Sequence, residues 1–102
     1  MDYRFLYSQT SRQQIKALHP QSRSVVKAQI DNLRDNPGLG KALERELSGN
    51  YSLKTRRLRI IYQIDHDAHI VQIHYVGHRR DVYALFKDLL TKQRETLLQN
   101  QE

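Results

Sequence analysis

Apolar and polar positions alternate along the second half of the chain with the period of two that is typical of β-strands. The clearest run spans 57–65, where one face carries Leu58, Ile60, Tyr62 and Ile64. A turn at His66–Asp67 leads to a second run over 69–76, and a shorter run precedes them at 51–55. Two strands joined by so short a turn predict an antiparallel hairpin.

The first half of the chain begins with one strand and continues with helical spacing. Residues 3–8 alternate like a strand, and Thr10 or Ser11 is suited to cap a helix that ends at His19–Pro20. A second helix is predicted after Pro20, with an apolar stripe, and a breaker at 36–38 ends it. The stripe consists of Val26, Ile30 and Leu33. Residues 38–50 are less regular and predict a short helical turn or a packed loop.

Beyond Gly77 the period changes again. Apolar residues recur at helical spacing from Val82 to Leu90, so we expect a final helix from about 81 into the nineties. The predicted order is β-α-α-β-β-β-α, an α+β fold in which an antiparallel sheet packs two N-terminal helices on one face and is followed by a C-terminal helix. The chain is short enough that 1–102 is predicted to form a single domain.

The alternation also assigns the faces of the predicted hairpin. The more apolar face, which includes Val71, Ile73 and Tyr75 on the second strand, is expected to contact the helices. The other face carries Arg59, Gln63, Gln72 and His74. Because an antiparallel sheet can leave one face open to solvent, this second face is the candidate site.

The charge balance gives that face a chemical character. Seventeen Lys and Arg residues against eleven Asp and Glu give a net charge of +6. Such an excess is typical of proteins with a polyanionic partner. The chain has no cysteine, which fits a reducing cytoplasm and excludes disulfides. No apolar run approaches the roughly 20 residues that cross a bilayer, so no membrane partner is expected.

Six of the seventeen Lys and Arg residues lie in two stretches, 54–59 and 78–80. Antiparallel pairing brings the start of one strand beside the end of the next, so Arg59 and Arg79 are expected to lie close together. One interpretation is a solvated edge that is protected from aggregation by its charges. The other is a phosphate site, since arginine matches two phosphate oxygens at once.

Cleavage of RNA by its own 2′-oxygen requires activation of that oxygen, stabilisation of the phosphorane and a proton for the leaving 5′-oxygen. Arg59 and Arg79 are candidates to stabilise the phosphorane, and His78 is a candidate acid or base. Tyr83 is suited to stack on a base or orient the 2′-hydroxyl, and Lys54 to donate to the phosphate or assist deprotonation. Additional RNA contacts are expected from four residues, Arg56, Arg57, His74 and Arg80.

Two further histidines suggest a different chemistry. His66 and His69 flank a turn with Asp65 and Asp67, an arrangement that superficially resembles a metal site. Turn clusters of this kind are mostly solvated, so we expect neither a metal nor any other cofactor.

Several segments, taken in order, resemble the RelE/ParE superfamily of bacterial toxins. They are the opening YRFLYS, two helices that end at NP, the spacing of Leu47, Gly49 and Tyr51, the strand LRIIYQID and the segment VGHRRDVY. The resemblance covers the chain to about residue 90, and the strand followed by GHRRDVY is similar to the RelE branch. It implies a type II toxin–antitoxin module whose toxin cuts mRNA in the ribosomal A site, leaving a 2′,3′-cyclic phosphate.

The resemblance also implies roles for individual residues. Arg59 matches the family's arginine on the scissile phosphate, and Arg79 the arginine that stabilises or protonates the leaving group. Tyr83 and Lys54 match the tyrosine near the attacking nucleotide and the lysine that supports the 2′-oxygen, and His78 stands where members have lysine or histidine. The chain departs from the family at two positions, Ser52 and Leu58. Ser52 replaces a frequent basic residue, and Arg56 or Arg57 is the candidate to replace its charge.

Two other functions remain open on the same fold. One is a ParE-like, non-hydrolytic poison of DNA gyrase. The other is a degenerate, non-catalytic module that binds an antitoxin or nucleic acid. For the main hypothesis, the expected partners are mRNA, the ribosome and a cognate antitoxin with acidic and apolar residues, in a toxin–antitoxin hetero-oligomer.

Overall fold

The structure is a computed structural model that describes residues 2–78, 82–88 and 90–91. These residues form a five-stranded sheet and three α-helices, which confirms the α+β fold. The helices are α1, α2 and α3, where α3 comprises the helical residues 82–88 and 90–91. The strands and the two N-terminal helices are β1 (Arg4–Tyr7), α1 (Gln9–Lys16), α2 (Pro20–Asp31), β2 (Lys41–Ala42), β3 (Tyr51–Thr55), β4 (Leu58–Asp65) and β5 (Ile70–His78).

The helical hairpin begins two residues earlier than the sequence indicates. Ser8, rather than Thr10 or Ser11, is the N-cap of α1, and its Oγ accepts a hydrogen bond of 3.0 Å from the Ser11 amide. Ser11 is instead fully buried, and its hydroxyl donates to the Ile73 carbonyl of β5 at 2.9 Å. The prediction of the cap was wrong because Ser8, Thr10 and Ser11 all suit the local capping pattern, and the burial of Ser11 against β5 is a tertiary feature that this pattern does not show.

The sheet has the strand order β1-β5-β4-β3-β2. Three of its pairings are antiparallel, whereas β1 pairs with β5 in parallel. The edge strand β2 was not predicted, because it has only two residues and both are exposed. It lies in the irregular segment 38–50, which otherwise forms 3₁₀ turns at Pro37–Leu39 and Arg45–Leu47.

One face of the sheet packs against α1 and α2 and forms the main core. Tyr62 is completely buried there, as its parity predicts. Its hydroxyl donates to the Pro37 carbonyl at 2.8 Å and accepts from the Gly40 amide at 2.9 Å. The other buried residues of this cluster are Ile15, Val26, Ile30, Leu33, Leu53, Leu58, Ile60, Val71, Ile73 and Val76.

A β-bulge in β5 changes which residues face α3. Ile61 pairs with Tyr75 but its neighbour Tyr62 pairs with Ile73, so His74 is an extra residue in the ladder. Tyr75 therefore lies on the opposite face from Val71 and Ile73, and the prediction that all three share one face was wrong. Strict alternation does not anticipate an inserted residue.

The second face carries a smaller cluster beneath α3. Its buried residues are Ile61, Tyr75, Val82 and Phe86. The partly buried residues Leu43, Leu47 and Leu90 pack against them. Lys87 on α3 also forms an exposed ion pair of 3.5 Å with Glu46. The helix thus covers one part of this face and leaves the row of Lys54 and Arg59 beyond it.

None of the helices in the described part of the chain is long and apolar enough to cross a bilayer.

Candidate active site

Lys54, Arg59 and Gly77 lie side by side across the three central strands. Lys54 of β3 pairs with Arg59 of β4, and Arg59 pairs with Gly77 of β5. Directly opposed residues of an antiparallel pair project to the same face with Cβ atoms about 5 Å apart. Lys54 and Arg59 both belong to the first basic stretch, 54–59, and the predicted proximity of Arg59 to Arg79 stays a prediction because Arg79 lies outside the described residues.

Gly77 leaves space beside Arg59 for an aromatic ring. A Cβ atom built at Gly77 would lie 2.9 Å from Cε1 of Tyr75, closer than real contacts allow. The Tyr75 ring consequently packs over the Gly77 backbone and closes one side of the row. The requirement for glycine at this position comes from this close approach.

Arg59 is the only one of these side chains that is substantially enclosed. It is partly buried, while Lys54 is exposed. Its Nη1 atom is buried and has no hydrogen-bond partner among the residues that the structure describes. Leaving a charged donor unsatisfied is costly, so this guanidinium is a candidate to bind an anion.

Tyr83 lies next to this row. Its hydroxyl donates a hydrogen bond of 3.1 Å to Oγ of Ser52. Ser52 is on the same strand as Lys54 and two residues away, about 7 Å along β3. Tyr83 is 37 % exposed and remains accessible to a ligand.

Ser52 is a contact of Tyr83 that no motif in the sequence indicates as part of the site. The family resemblance marks it only as a departure from the usual basic residue. The pairing of Ser52 with Ile61, on the face that α3 covers, is the feature that places it beneath Tyr83. No spacing in the sequence shows that pairing, because it depends on the register of β3 with β4.

The other predicted RNA contacts on β3 and β4 lie at their turn. Arg56 and Arg57 form the two-residue connection between the strands and are exposed. Arg56 has a φ of 55°, a left-handed conformation that is unfavourable for residues other than glycine. The turn therefore presents two guanidinium groups at the end of the hairpin.

His78 lies at the same end but on the other side of the sheet from Arg59. It pairs with Leu58, whose side chain belongs to the main core. Together with His19 and the turn arginines, it lines a groove of about 470 Å³ beside α1 and α2. The structure thus does not bring His78 into the row of Lys54 and Arg59.

His74 lies at the far end of the α3 face. Its Nε2 is 2.8 Å from Oε1 of Gln63, and its ring centroid is 6.2 Å from that of Phe86. Burial lowers the pKa of its imidazole, because the charged form loses hydration. Gln63 is four residues from Arg59 on β4, about 13 Å away, so His74 is separate from the cationic row.

Arg79 and Arg80, which the sequence predicts as catalytic and RNA-binding residues, lie outside the described residues. Their neighbour Asp81 does too.

The histidines of the β4–β5 turn contact Tyr3. The Tyr3 hydroxyl lies 2.9 Å from Nδ1 of His66, and the Tyr3 ring packs edge-on against His69. The turn spans four residues, 66–69, instead of the predicted two. These contacts give both histidines a structural role in holding the start of the chain.

Comparison with known proteins assigns the chain to a family. Residues 2–83 match the model of the ParE toxin of the type II toxin-antitoxin system, parDE. Over 85 residues the chain is 34 % identical to toxin RelG of Mycobacterium tuberculosis, covering 81 % of this chain and 98 % of that protein. The chain is therefore a type II toxin–antitoxin toxin of the RelE/ParE superfamily, as the sequence motifs predict.

Solved structures agree with this assignment. The toxin–antitoxin complex RelBE2 of M. tuberculosis contains a chain that is 32 % identical and superposes with a TM-score of 0.70, covering 78 % of this chain and 100 % of the other. A mutant of Escherichia coli toxin RelE in the free state is 17 % identical, with a TM-score of 0.73 over 89 % of this chain and 98 % of that one. At this lower identity the likeness concerns the fold alone.

Proposed function

We propose that the protein is a ribosome-dependent endoribonuclease that cleaves mRNA in the A site and so inhibits translation. The observation that carries this proposal is the cationic row on the open part of the α3 face. There Lys54 and Arg59 are paired, and Arg59 has an enclosed Nη1 without a partner among the described residues. A site with fixed cations and an adjacent tyrosine suits stabilisation of a phosphorane.

The proposed reaction is attack of a ribose 2′-oxygen on the adjacent phosphorus. The new bond forms as the bond to the 5′-oxygen breaks, giving a 2′,3′-cyclic phosphate and a free 5′-hydroxyl. One proton leaves the 2′-oxygen and one is delivered to the 5′-oxygen, so no cofactor or metal is required. A well-placed donor in such a site typically lowers the activation barrier by about 3–4 kcal/mol.

The residues divide these tasks as follows. Arg59 binds the non-bridging oxygens as negative charge accumulates on the phosphorane. Lys54 assists removal of the 2′ proton, and Tyr83 orients the attacking nucleotide. From the family resemblance, Arg79 serves the leaving 5′-oxygen, a role that stays a prediction because Arg79 lies outside the described residues.

The remaining candidates have supporting roles in this proposal. Arg56, Arg57 and His78 surround the end of the hairpin and contact RNA that extends beyond the cleaved bond. Arg80 adds a further RNA contact. His74 contributes to RNA binding at the other end of the face, where its Nε2 lies within hydrogen-bond distance of Oε1 of Gln63.

A cognate antitoxin is the expected protein partner, in a hetero-oligomer. Support comes from the RelBE2 relative, whose structure is a toxin–antitoxin complex. The net charge of +6 favours an acidic segment. The exposed Leu85 and Tyr83 of α3, 49 % and 37 % accessible, favour apolar residues in the same segment. Neutralisation by a segment that is basic overall would contradict this expectation.

A second function, poisoning of DNA gyrase, is favoured by one observation. The family model that matches the chain is that of the ParE toxin. A gyrase poison needs no phosphorane stabiliser, and the enclosed Arg59 argues for the nuclease.

Induction of the protein without an antitoxin distinguishes the candidates. We expect cleaved mRNA whose new 5′ ends fall within codons and become ligatable only after phosphorylation. Blocking translation should abolish the ends. They should also disappear with Arg59→Ala, and remain with Arg4→Ala, which removes an exposed arginine at the edge of the sheet.

The other outcomes assign the function differently. Intact mRNA together with DNA damage would reject the nuclease in favour of the gyrase poison. If the induced protein is folded and abundant but cells grow without any defect, the result favours the non-catalytic binding module.

A further inference from the structure

A second cluster of cations lies on the helical hairpin, on the other side of the sheet from Lys54 and Arg59. A groove of about 380 Å³ runs between the helices, and the described residues that line it include four Lys or Arg side chains and no carboxylate. We call this surface the α1–α2 cradle, defined by Tyr7, Arg12, Ile15, Lys16, Arg23 and Lys27.

The cations of the cradle are arranged in two rows. Arg12 and Lys16 are four residues apart on α1, and Arg23 and Lys27 are four residues apart on α2. Residues at this spacing are neighbours on one helix face, so each row pairs like charges that repel. Lys16 has a local reason to be basic, since it lies in the last turn of α1 and interacts favourably with the helix dipole. That reason does not apply to the other three.

The ion pairs in the described part of the chain lie elsewhere. Its two ion pairs join Arg34 to Asp31 at 3.0 Å and Lys87 to Glu46 at 3.5 Å. Neither pair includes a residue of the cradle. Both helices also begin without an acidic residue in their first turn.

Arg23 is fixed in position at the centre of the cradle. Its Nη2 donates to the carbonyl oxygens of Lys16 at 3.0 Å and Leu18 at 3.2 Å, which joins α2 to the end of α1. Its Nε is buried and has no partner among the described residues. A guanidinium held in this way loses little further freedom when it binds an anion.

Tyr7 completes the floor of the cradle. Burial is the main cause that raises the pKa of its phenol, so the hydroxyl stays neutral and available as a donor. It therefore adds no negative charge that would oppose an anion.

We propose that the α1–α2 cradle binds the phosphate backbone of structured RNA and anchors the protein while the opposite face acts on mRNA. The two rows of cations face each other, and the cations within each row are about one helical turn, or about 5.4 Å, apart. This arrangement suits consecutive phosphates rather than a single ion. An arginine that is held in position, as Arg23 is, favours the fork-like geometry of phosphate contacts. This inference deepens the proposed function and rests on it for the identity of the polyanion.

The test is equilibrium binding of the full-length protein to a fluorescein-labelled RNA hairpin with a fully paired stem. The variant combines Arg12→Gln, Lys16→Gln and Lys27→Gln, all at exposed positions, and spares the buried bonds of Arg23. A matched control removes the same charge elsewhere, at the exposed residues Arg4, Lys41 and Arg45. Thermal unfolding verifies that both variants are folded.

We expect the cradle variant to bind more weakly and to lose salt dependence. Each phosphate-contacting cation that is removed should lower the slope of log K against log salt by about 1, hence by about 3 for the triple variant. The control should keep nearly the wild-type slope between about 50 and 200 mM salt. Equal losses in both variants would show that only net charge matters and would overturn the proposal.

A second outcome would also overturn it. If the cradle variant keeps its RNA affinity but escapes neutralisation by the antitoxin, the cradle binds an acidic protein segment instead. The measurement involves neither ribosomes nor cleavage, so it fails independently of the proposed function. If the wild-type protein binds the hairpin but does not cleave mRNA, only the proposal of a nuclease is rejected.

Discussion

The two faces of the sheet differ in how completely they are buried. On the α1–α2 face, apolar side chains from every layer meet, and Tyr62 satisfies its hydroxyl with two backbone groups. On the α3 face a smaller cluster leaves Lys54 exposed and Arg59 only partly buried. The α1–α2 face therefore forms the main hydrophobic core, whereas the α3 face combines a smaller core with charged side chains.

Adjacent residues on β4 show this difference most clearly. Ile60 is completely buried in the main core. Arg59 projects to the other face, and its Nη1 has no hydrogen-bond partner among the described residues. Substitutions at these two adjacent positions should therefore affect different properties, stability at Ile60 and activity at Arg59.

The largest expected effect is on stability. Ile60→Ala should lower the free energy of unfolding by about 2–5 kcal/mol, because it removes buried methylene groups and leaves a cavity. Denaturant unfolding followed by circular dichroism measures this loss. Ile60→Val is the matched control and should cost only about 0.5–1.5 kcal/mol. A stability loss of similar size in Arg59→Ala would contradict the division between the faces.

The next effect is on activity. Arg59→Ala should slow cleavage of mRNA on programmed ribosomes by about 10²–10³-fold, the loss expected for one donor to the transition state. Its stability should be unchanged or higher, since an unpartnered buried charge is removed. Arg59→Lys keeps the charge without the fork and should recover only part of the rate. A full rate in Arg59→Ala would exclude a role for the cationic row in cleavage.

A smaller effect separates positioning from chemistry at Tyr83. If its hydroxyl serves only to hold Ser52, Tyr83→Phe and Ser52→Ala should each reduce the rate by roughly 10-fold or less, the value of one hydrogen bond. If the hydroxyl also contacts the attacking nucleotide, Tyr83→Phe should be clearly slower than Ser52→Ala. Single-turnover cleavage with the two variants in parallel makes this comparison.

The smallest effect concerns the pH dependence of stability on the α3 face. Burial lowers the pKa of His74 in the folded protein, so the unfolded chain binds its proton at higher pH. Stability should consequently fall as the pH drops from about 6.5 towards the folded pKa. His74→Gln should flatten this part of the Tm profile, and the exposed His78→Gln is the matched control. An unchanged slope in His74→Gln would assign the effect to other groups.

The sequence specifies the elements more completely than their contacts. Periodicity identified the helical hairpin, three main strands and the apolar residues of the principal core, because each pattern repeats several times within its own segment. It missed the two-residue strand β2 and the cap at Ser8, since features that short have no period to detect.

The candidate site shows the same division. The sequence by itself determined the excess of positive charge, the choice of arginine and lysine at the ends of two neighbouring strands, and the family resemblance that names their roles. The tertiary structure alone decided that Lys54 faces Arg59, that Ser52 lies beneath Tyr83 and that His78 points to the other side. The bulge at His74 and the register of β3 with β4 fix those relations. They are set by pairing between distant segments, for which the local pattern of one strand carries no information.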